Sequence, residues 1–283
     1  MRLILITTLF FISFVGFSQI KTPAASTSSK LEQTVGLTEI DIEYNRPSKK
    51  GRAIFGNLVP YGKKWRTGAN SSTKISFSTD VEISGTTLKN GTYSIFSIPN
   101  KNEWDIILYS DAELWSVPAD WDDNKIVFQS KFKVNKIGSG NEIETFTISI
   151  NNITSNNADI IFAWDDTYIK VRIDVPTSQI VDKSIEEVMG GSPKSSDYYA
   201  AAVYYRQENI KLDVALKWIN KAMEMTENPR FFQLRQQSLI LAANGMYEEA
   251  INVARRSLRL SIRAGNEDYV KMNNDSIEEW SNQ

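Results

Sequence analysis

The sequence predicts a two-part chain in which an all-β antiparallel sandwich or barrel is followed by an all-α domain. Between Lys30 and Val175, apolar and polar residues alternate with the period of two that is typical of half-buried strands. Turn-forming pairs such as Asn90-Gly91 separate these runs. After Pro176 the apolar period becomes helical. Successive short strands without intervening helices favour an antiparallel sandwich or barrel for the first part.

The first 18 residues have the order of a secretory signal peptide. A basic residue, Arg2, precedes the apolar run 3–17, which ends in the small-x-small pattern Gly16-Phe17-Ser18. We expect cleavage near Ser18 and a periplasmic or secreted mature protein. No later segment approaches the roughly 20 apolar residues of a membrane span, so we expect none.

The β domain is expected to occupy residues 19–178. A representative strand alternates Ile169, Val171 and Ile173 with charged residues. The predicted strands are 36–44, 73–84, 92–98, 103–110, 125–135, 142–152, 157–164 and 167–175.

The helical domain is expected at residues 190–283, and it begins with the turn-forming sequence Gly190-Gly191-Ser192-Pro193. Small and apolar residues recur after 35 positions: Val203, Ala215, Leu216, Ala222 and Met225 correspond to Ser238, Ala250, Ile251, Ser257 and Leu260. With the turn at Gly245, the pattern resembles a tetratricopeptide helix–turn–helix pair. We expect this tail to bind a partner protein. Its basic and acidic residues balance, so no nucleic-acid partner is expected.

Composition excludes several kinds of chemistry. The chain contains no Cys and no His, so it has no disulfides, thiolate nucleophiles, imidazole base or common zinc ligands. No glycine fingerprint leads from a strand into a helix, so no nucleotide cofactor is expected. We therefore expect neither a cofactor nor a bound metal. Catalysis, if present, depends on carboxylates, hydroxyls and lysines.

One segment, residues 46–70, is basic and shows neither the strand period nor the helix period. It carries seven basic side chains and no acidic ones: Arg46, Lys49, Lys50, Arg52, Lys63, Lys64 and Arg66. Removing these seven and Arg2 leaves 24 basic residues against 34 acidic. The net charge of −2 is therefore the sum of a positive segment and a negative remainder of the chain. Glycines and prolines prevent a regular element here, and a long loop inside a compact domain is usually functional.

Two explanations of this charge stand open. The guanidinium groups could pair with strand carboxylates such as Asp41 or Glu82 and fix the loop to the sheet. Alternatively, they could converge with glycine N–H groups on a carboxylate or phosphate, beside a flat aromatic face. The candidate ligand-binding residues are Arg46, Arg52, Tyr61, Trp65, Arg66, Thr67 and Asn70. The lysines are expected to form a solvated face.

The segment from Tyr44 to Asn70 reads YxRPxxxGRxIFGxLVPYGxxWRTGAN. With Gly91-Thr92-Tyr93 and Pro99, it resembles a family of secreted Bacteroidota proteins classified as a domain of unknown function. The resemblance covers about residues 23–175. It implies export, the β domain and, in some members, a helical tail of this kind, and it brings no established activity.

We therefore expect an exported, non-catalytic ligand-binding or scaffold protein, with an anionic or carbohydrate ligand at the 46–70 loop. The alternative is a metal-independent hydrolase acting on cell-envelope or dietary glycans, which needs only two carboxylates and no histidine. Five tryptophans in the β domain would suit sugar stacking, although most aromatics at this spacing pack in a core. No catalytic residue can be selected from the sequence.

Overall fold

The structure is a computed structural model, and it describes residues 22–283. The predicted signal peptide, 1–18, therefore lies outside the described residues. The chain divides after Thr177 into two compact units, which we call the barrel unit and the helical unit.

The barrel unit contains eleven antiparallel strands within the described residues. They are β1 (Thr27–Val35), β2 (Thr38–Arg46), β3 (Thr73–Phe77), β4 (Val81–Ile83), β5 (Thr86–Leu88), β6 (Gly91–Pro99), β7 (Glu103–Tyr109), β8 (Ile126–Lys136), β9 (Ile143–Asn151), β10 (Asn157–Asp165) and β11 (Thr167–Asp174). The prediction of an antiparallel β domain is confirmed. Strands β1 and β5 are absent from the predicted set, and the single strand predicted at 73–84 is two short strands joined by a turn.

The strands follow the order β1-β2-β3-β6-β7-β8-β11-β10-β9. Strand β2 also contacts β9 at the other end of this order, so the sheet is nearly a barrel. A seam joins them where β2 ends: the Phe146 N–H donates to the Pro47 carbonyl at 2.9 Å, and Ser48 forms a bridge with Thr145. The buried Tyr44 hydroxyl accepts from the Ile148 N–H at 3.0 Å and donates to the Ile148 carbonyl at 3.2 Å. Side chains therefore complete the closure that the backbone ladder leaves unfinished.

The basic segment that follows β2 packs its apolar residues into the barrel. Ile54 and Val59 are buried in the same core as the inward-facing strand residues, and Phe55 and Trp65 pack against that core. Trp65 also exchanges backbone hydrogen bonds with Ser97 of β6, at 2.7 and 2.9 Å. The segment is thus anchored by burial and by a strand-like contact, while its charged residues remain near the surface.

The helical unit follows from Ser178 onward. The helices are α1 (Thr177–Met189), α2 (Ser195–Gln207), α3 (Leu212–Glu224), α4 (Phe231–Ala243), α5 (Tyr247–Arg263) and α6 (Glu267–Trp280). Consecutive helices pack as α2 on α3, α4 on α5 and α5 on α6, and α4 also packs against α2 and α6. The expectation of a C-terminal helical domain is confirmed, and helix α1 occupies the stretch before the predicted boundary at 190.

Short turns and small residues explain this arrangement. Gly245 and Gly265, at φ +76° and +64°, end the helices before α5 and α6 in a conformation that favours glycine. Ala215, Ala250 and Ala254 are fully buried where helices meet. In the described part of the chain, every helix falls short of the length and apolar content needed to cross a bilayer.

Candidate functional site

Arg46, the first of the predicted ligand-binding residues, belongs to the barrel seam. Its Nε donates to the Phe146 carbonyl at 3.0 Å and its Nη2 to the Thr147 hydroxyl at 2.7 Å. Both acceptors lie on β9, so the guanidinium group bridges the gap between β2 and β9. Arg46 therefore positions the start of the basic segment.

Arg52 is exposed and is held by the chain just before it. Its Nε donates to the Lys49 carbonyl at 3.0 Å, and its Nη2 donates to the Ser48 carbonyl at 2.6 Å. A guanidinium group has five N–H donors, so donors remain for a ligand after these two bonds. The neighbouring Lys50 is also exposed, and its backbone, at φ +48°, donates from its N–H to the Glu144 carboxylate at 2.8 Å.

Arg66 approaches from the other end of the segment. It is half-buried, and its Nη1 donates to the Trp115 carbonyl at 3.3 Å. Its neighbour Trp65 points into an aromatic cluster and stacks on Trp164, with ring centroids 6.0 Å apart and planes inclined by 21°. The Trp65 indole N–H donates to the Gly68 carbonyl at 3.0 Å, which fixes the orientation of the ring.

These side chains line one cleft of about 390 Å³, which we call the basic cleft. Three cations and two indoles border it: Lys50, Arg52, Arg66, Trp65 and Trp164. The rest of its wall is apolar or small: Ala25, Ser26, Pro47, Ser48, Leu58, Val59, Gly68 and Ala69. None of these lining residues is acidic. Trp164 is only 1% exposed, so the accessible aromatic surface of the cleft comes from the half-buried Trp65. A cleft with several cationic donors, no acidic lining residue and one partly exposed indole suits an anion attached to a ring.

The structure brings three of the seven predicted residues to this cleft, namely Arg52, Trp65 and Arg66. Arg46 lies in the seam, and Tyr61 is an exposed residue whose ring packs over Gly56. Thr67 is fully buried, with its hydroxyl 3.0 Å from that of Ser97, so it supports the segment from inside.

Asn70, the last of the predicted residues, does not line the cleft. Its side-chain amide donates to the Asn45 side-chain oxygen at 3.2 Å and to the Ser26 carbonyl at 3.4 Å. The residue adopts φ +55°, a conformation that asparagine tolerates better than most residues. Asn70 thus joins the segment to the start of β1.

The remaining cations of the segment have other partners. Lys49 forms an ion pair with Asp165, and this hydrogen bond raises the pKa of the Lys49 ammonium group. Lys64 places its ammonium group 4.5 Å from the centroid of the Trp121 ring. None of the three arginines forms an ion pair with an acid among residues 22–283, so the alternative of pairing with strand carboxylates does not apply to them.

A second cleft, of about 430 Å³, is lined by Asn45 and Ser71 among others and is mixed in charge. Lys30 and Lys74 line it together with Glu43 and Glu113, and Lys74 pairs with Glu113 at 2.7 Å. Trp115, at 71% exposed, forms part of its rim. We call it the mixed cleft.

Sequence reasoning missed two members of the basic cleft. Lys50 was assigned to a solvated face with the other lysines, and its placement depends on the Glu144 contact. Trp164 lies on β10 and reaches the cleft only because the sheet closes. Within residues 22–283, acidic side chains do not cluster in a way that could hold a metal ion.

Comparison with known proteins gives a family. A family model described as "Protein of unknown function (DUF2911)" matches residues 26–173. No curated protein and no solved structure matches the chain. The matched range is just over half of the 283 residues, and it includes the basic segment and nearly every strand residue of the barrel unit. The chain therefore belongs to this family of proteins of unknown function, DUF2911.

Proposed function

We propose that this is an exported, non-catalytic binding protein whose basic cleft holds an anionic carbohydrate or a related anion. One observation carries the proposal: Lys50, Arg52 and Arg66 border a cleft that no acidic residue lines, over the stacked Trp65 and Trp164 rings. Cations without an ion-pair partner attract a carboxylate, sulfate or phosphate, and the accessible part of the half-buried Trp65 indole can pack against a sugar ring. An acidic sugar combines both features.

The proposal includes export and a partner for the helical unit. Export is supported by the sequence of residues 1–18, and a tetratricopeptide-like partner-binding tail is supported by the 35-residue spacing and by the packing of α2 on α3 and α4 on α5. We also retain the secreted Bacteroidota group as the proposed source of this architecture.

A titration of tryptophan fluorescence tests the cleft. We expect glucuronate to change the emission of the mature protein, because Trp65 lies in the cleft, and we expect glucose to change it far less. Arg52→Gln should weaken glucuronate binding by roughly 10- to 100-fold, since it removes a charge-assisted contact. Lys63→Gln is the matched control, because Lys63 is exposed in the same segment but does not line the cleft.

Equal weakening by Arg52→Gln and Lys63→Gln would reduce the effect to the general charge of the segment and contradict a built site. Inorganic phosphate is the third ligand in the titration. If phosphate binds as tightly as glucuronate, the cleft recognises the anion and the ring adds nothing.

One observation favours the second candidate function, a metal-independent glycan hydrolase. Glu43 and Glu113 line the mixed cleft beside the exposed Trp115, and two carboxylates in one cleft are what retaining and inverting glycosidases require. Release of reducing sugar from cell-envelope or dietary glycans, abolished by both Glu43→Gln and Glu113→Gln, would support this function. Glucuronate binding without turnover would support the binding protein.

A further inference from the structure

Arg235 on α4 is a buried arginine whose charge has no ion-pair partner among the described residues. The residue is 9% exposed, its Nη2 donates to the Ser276 hydroxyl at 3.0 Å, and its buried Nη1 has no hydrogen-bond acceptor. The guanidinium carbon lies 5.9 Å from the centroid of the Trp280 ring. A neutral hydroxyl and an aromatic ring do not offset the loss of hydration of a full charge.

Arg206 on α2 is a second arginine in the same condition. It is half-buried, and its buried Nε lacks an acceptor. No ion pair involving Arg206 occurs within residues 22–283. Burial lowers the pKa of both guanidinium groups, and the nearby charge of Arg206 lowers the pKa of Arg235 further. Two like charges therefore interact inside the helical unit, and neither has an ion-pair partner among residues 22–283.

The nearest acids do not neutralise the pair. Asp275 and Glu279 are close enough to favour the charged form of Arg235, but neither forms an ion pair with it. Asp275 pairs instead with Lys271, at 2.5 Å on its own helix. Removing two charges from water without pairing them is expensive, and perturbed ionisable groups of this kind cluster at functional sites.

The two arginines share a face that is built from three helices. On α2, Tyr199 and Arg206 are seven residues apart and so project from the same side of the helix. On α6, Tyr269 and Ser276 have the same spacing, and the Ser276 hydroxyl lies 3.0 Å from the Arg235 guanidinium group of α4. Helix α4 lies between them and contacts both α2 and α6.

We propose that Arg206 and Arg235 form a carboxylate-binding site on this α2–α4–α6 face, and that its occupant is an acidic peptide segment of a partner protein. Charge complementarity selects this occupant, because a carboxylate supplies the acceptors that both guanidinium groups lack. Tyrosines on the flanking helices supply ring surface for the rest of a peptide. The proposal deepens the proposed partner-binding role of the helical unit and is independent of the basic cleft.

The test uses the full mature chain and synthetic peptides, read by fluorescence anisotropy. The probe is a labelled hexapeptide of alternating glutamate and aspartate with blocked termini. Its glutamine and asparagine isostere is the control peptide, and a version with a free C-terminus separates terminal from side-chain carboxylates. We expect the acidic peptide to bind and the isostere not to bind.

Three variants locate the site. Arg235→Met and Arg206→Met should each weaken peptide binding by roughly 10- to 100-fold, because each removes charge-assisted hydrogen bonds. Arg256→Met, at an exposed position of α5, should leave binding unchanged. Arg235→Met should also preserve or raise the melting temperature of the unliganded protein, since it removes an uncompensated buried charge.

Several results would overturn the proposal. A protein that binds glucuronate but ignores the acidic peptide refutes this site and leaves the basic cleft standing. A lower melting temperature in Arg235→Met with unchanged peptide binding assigns Arg235 to structure alone. If Arg235→Met does not fold, Arg206→Met decides, and unaltered binding there refutes the site. Self-association that Arg235→Met abolishes would assign the face to a second copy of the chain.

Discussion

The Tyr44 hydroxyl is one of the groups that close the barrel seam, and Tyr44→Phe tests its contribution. The Tyr44 side chain is 4% exposed and its ring packs edge-on against Phe146, with ring centroids 5.9 Å apart. Phenylalanine keeps that packing but leaves the N–H and C=O groups of Ile148 without their partner. An unsatisfied buried donor costs about 1–3 kcal/mol and a carbonyl somewhat less, so we expect a loss of about 2–3 kcal/mol.

Differential scanning calorimetry of the full chain measures this loss. For a domain of this size, about 2–3 kcal/mol corresponds to a fall in melting temperature of roughly 4–12 °C. Tyr168→Phe is the matched control, since this half-buried tyrosine of β11 has a hydroxyl without a hydrogen-bond partner among the described residues. Equal melting temperatures in the two variants would refute the role of the hydroxyl in closing the seam.

Two further predictions concern the turns of the barrel unit. Gly36→Ala should destabilise the protein strongly, because a Cβ atom there would lie 1.9 Å from the Thr177 hydroxyl and 2.1 Å from the Ser155 carbonyl. Gly85 also has a positive φ but faces open space, so Gly85→Ala should lower the free energy of unfolding by only about 1–2 kcal/mol, as measured by urea denaturation. Similar costs for both variants would contradict the close packing at Gly36. The hydrogen bond from Lys136 lowers the folded-state pKa of Asp166, so its contribution to stability is complete above the unfolded-state pKa and is lost as the pH falls through the folded value. Asp166→Asn should therefore lose less stability than the wild type between pH 7 and pH 2, as measured by thermal melts, and an unchanged pH dependence would exclude this contribution.

The fold class was predictable because the inward-facing strand residues alternate clearly, and the exceptions have physical causes. Strand β1 was missed because it is largely polar on both faces, with Val35 as its only fully buried residue. The strand predicted at 73–84 was too long because Ser78-Thr79-Asp80 continues a weak alternation through a turn. Edge strands and turns bury few side chains, so they cannot be recognised from a pattern of hydrophobic residues.

The site was predictable in part, for a different reason. Composition alone marked the basic segment, but the partner of each cation depends on contacts that are distant in the sequence. Arg46 bonds to a carbonyl 100 positions away on β9, and Trp164 reaches the cleft through sheet closure. Arg206 and Arg235 were not predicted to be buried, because arginines in amphipathic helices usually lie at the surface. Their significance depends on the packing of three helices.

The cations of the basic segment divide into those that anchor it and those that face the cleft. Three cations form contacts within the protein: Arg46 hydrogen-bonds to β9, Lys49 pairs with Asp165, and Lys64 lies over the Trp121 ring. Their contacts fix both ends of the segment, and the buried Ile54 and Val59 fix its centre. A loop held in this way keeps Arg52 and Arg66 in place before any ligand arrives, which lowers the entropy lost on binding. The cations that anchor the segment therefore preorganise those that face the cleft, and variants of the two groups should separate stability from binding.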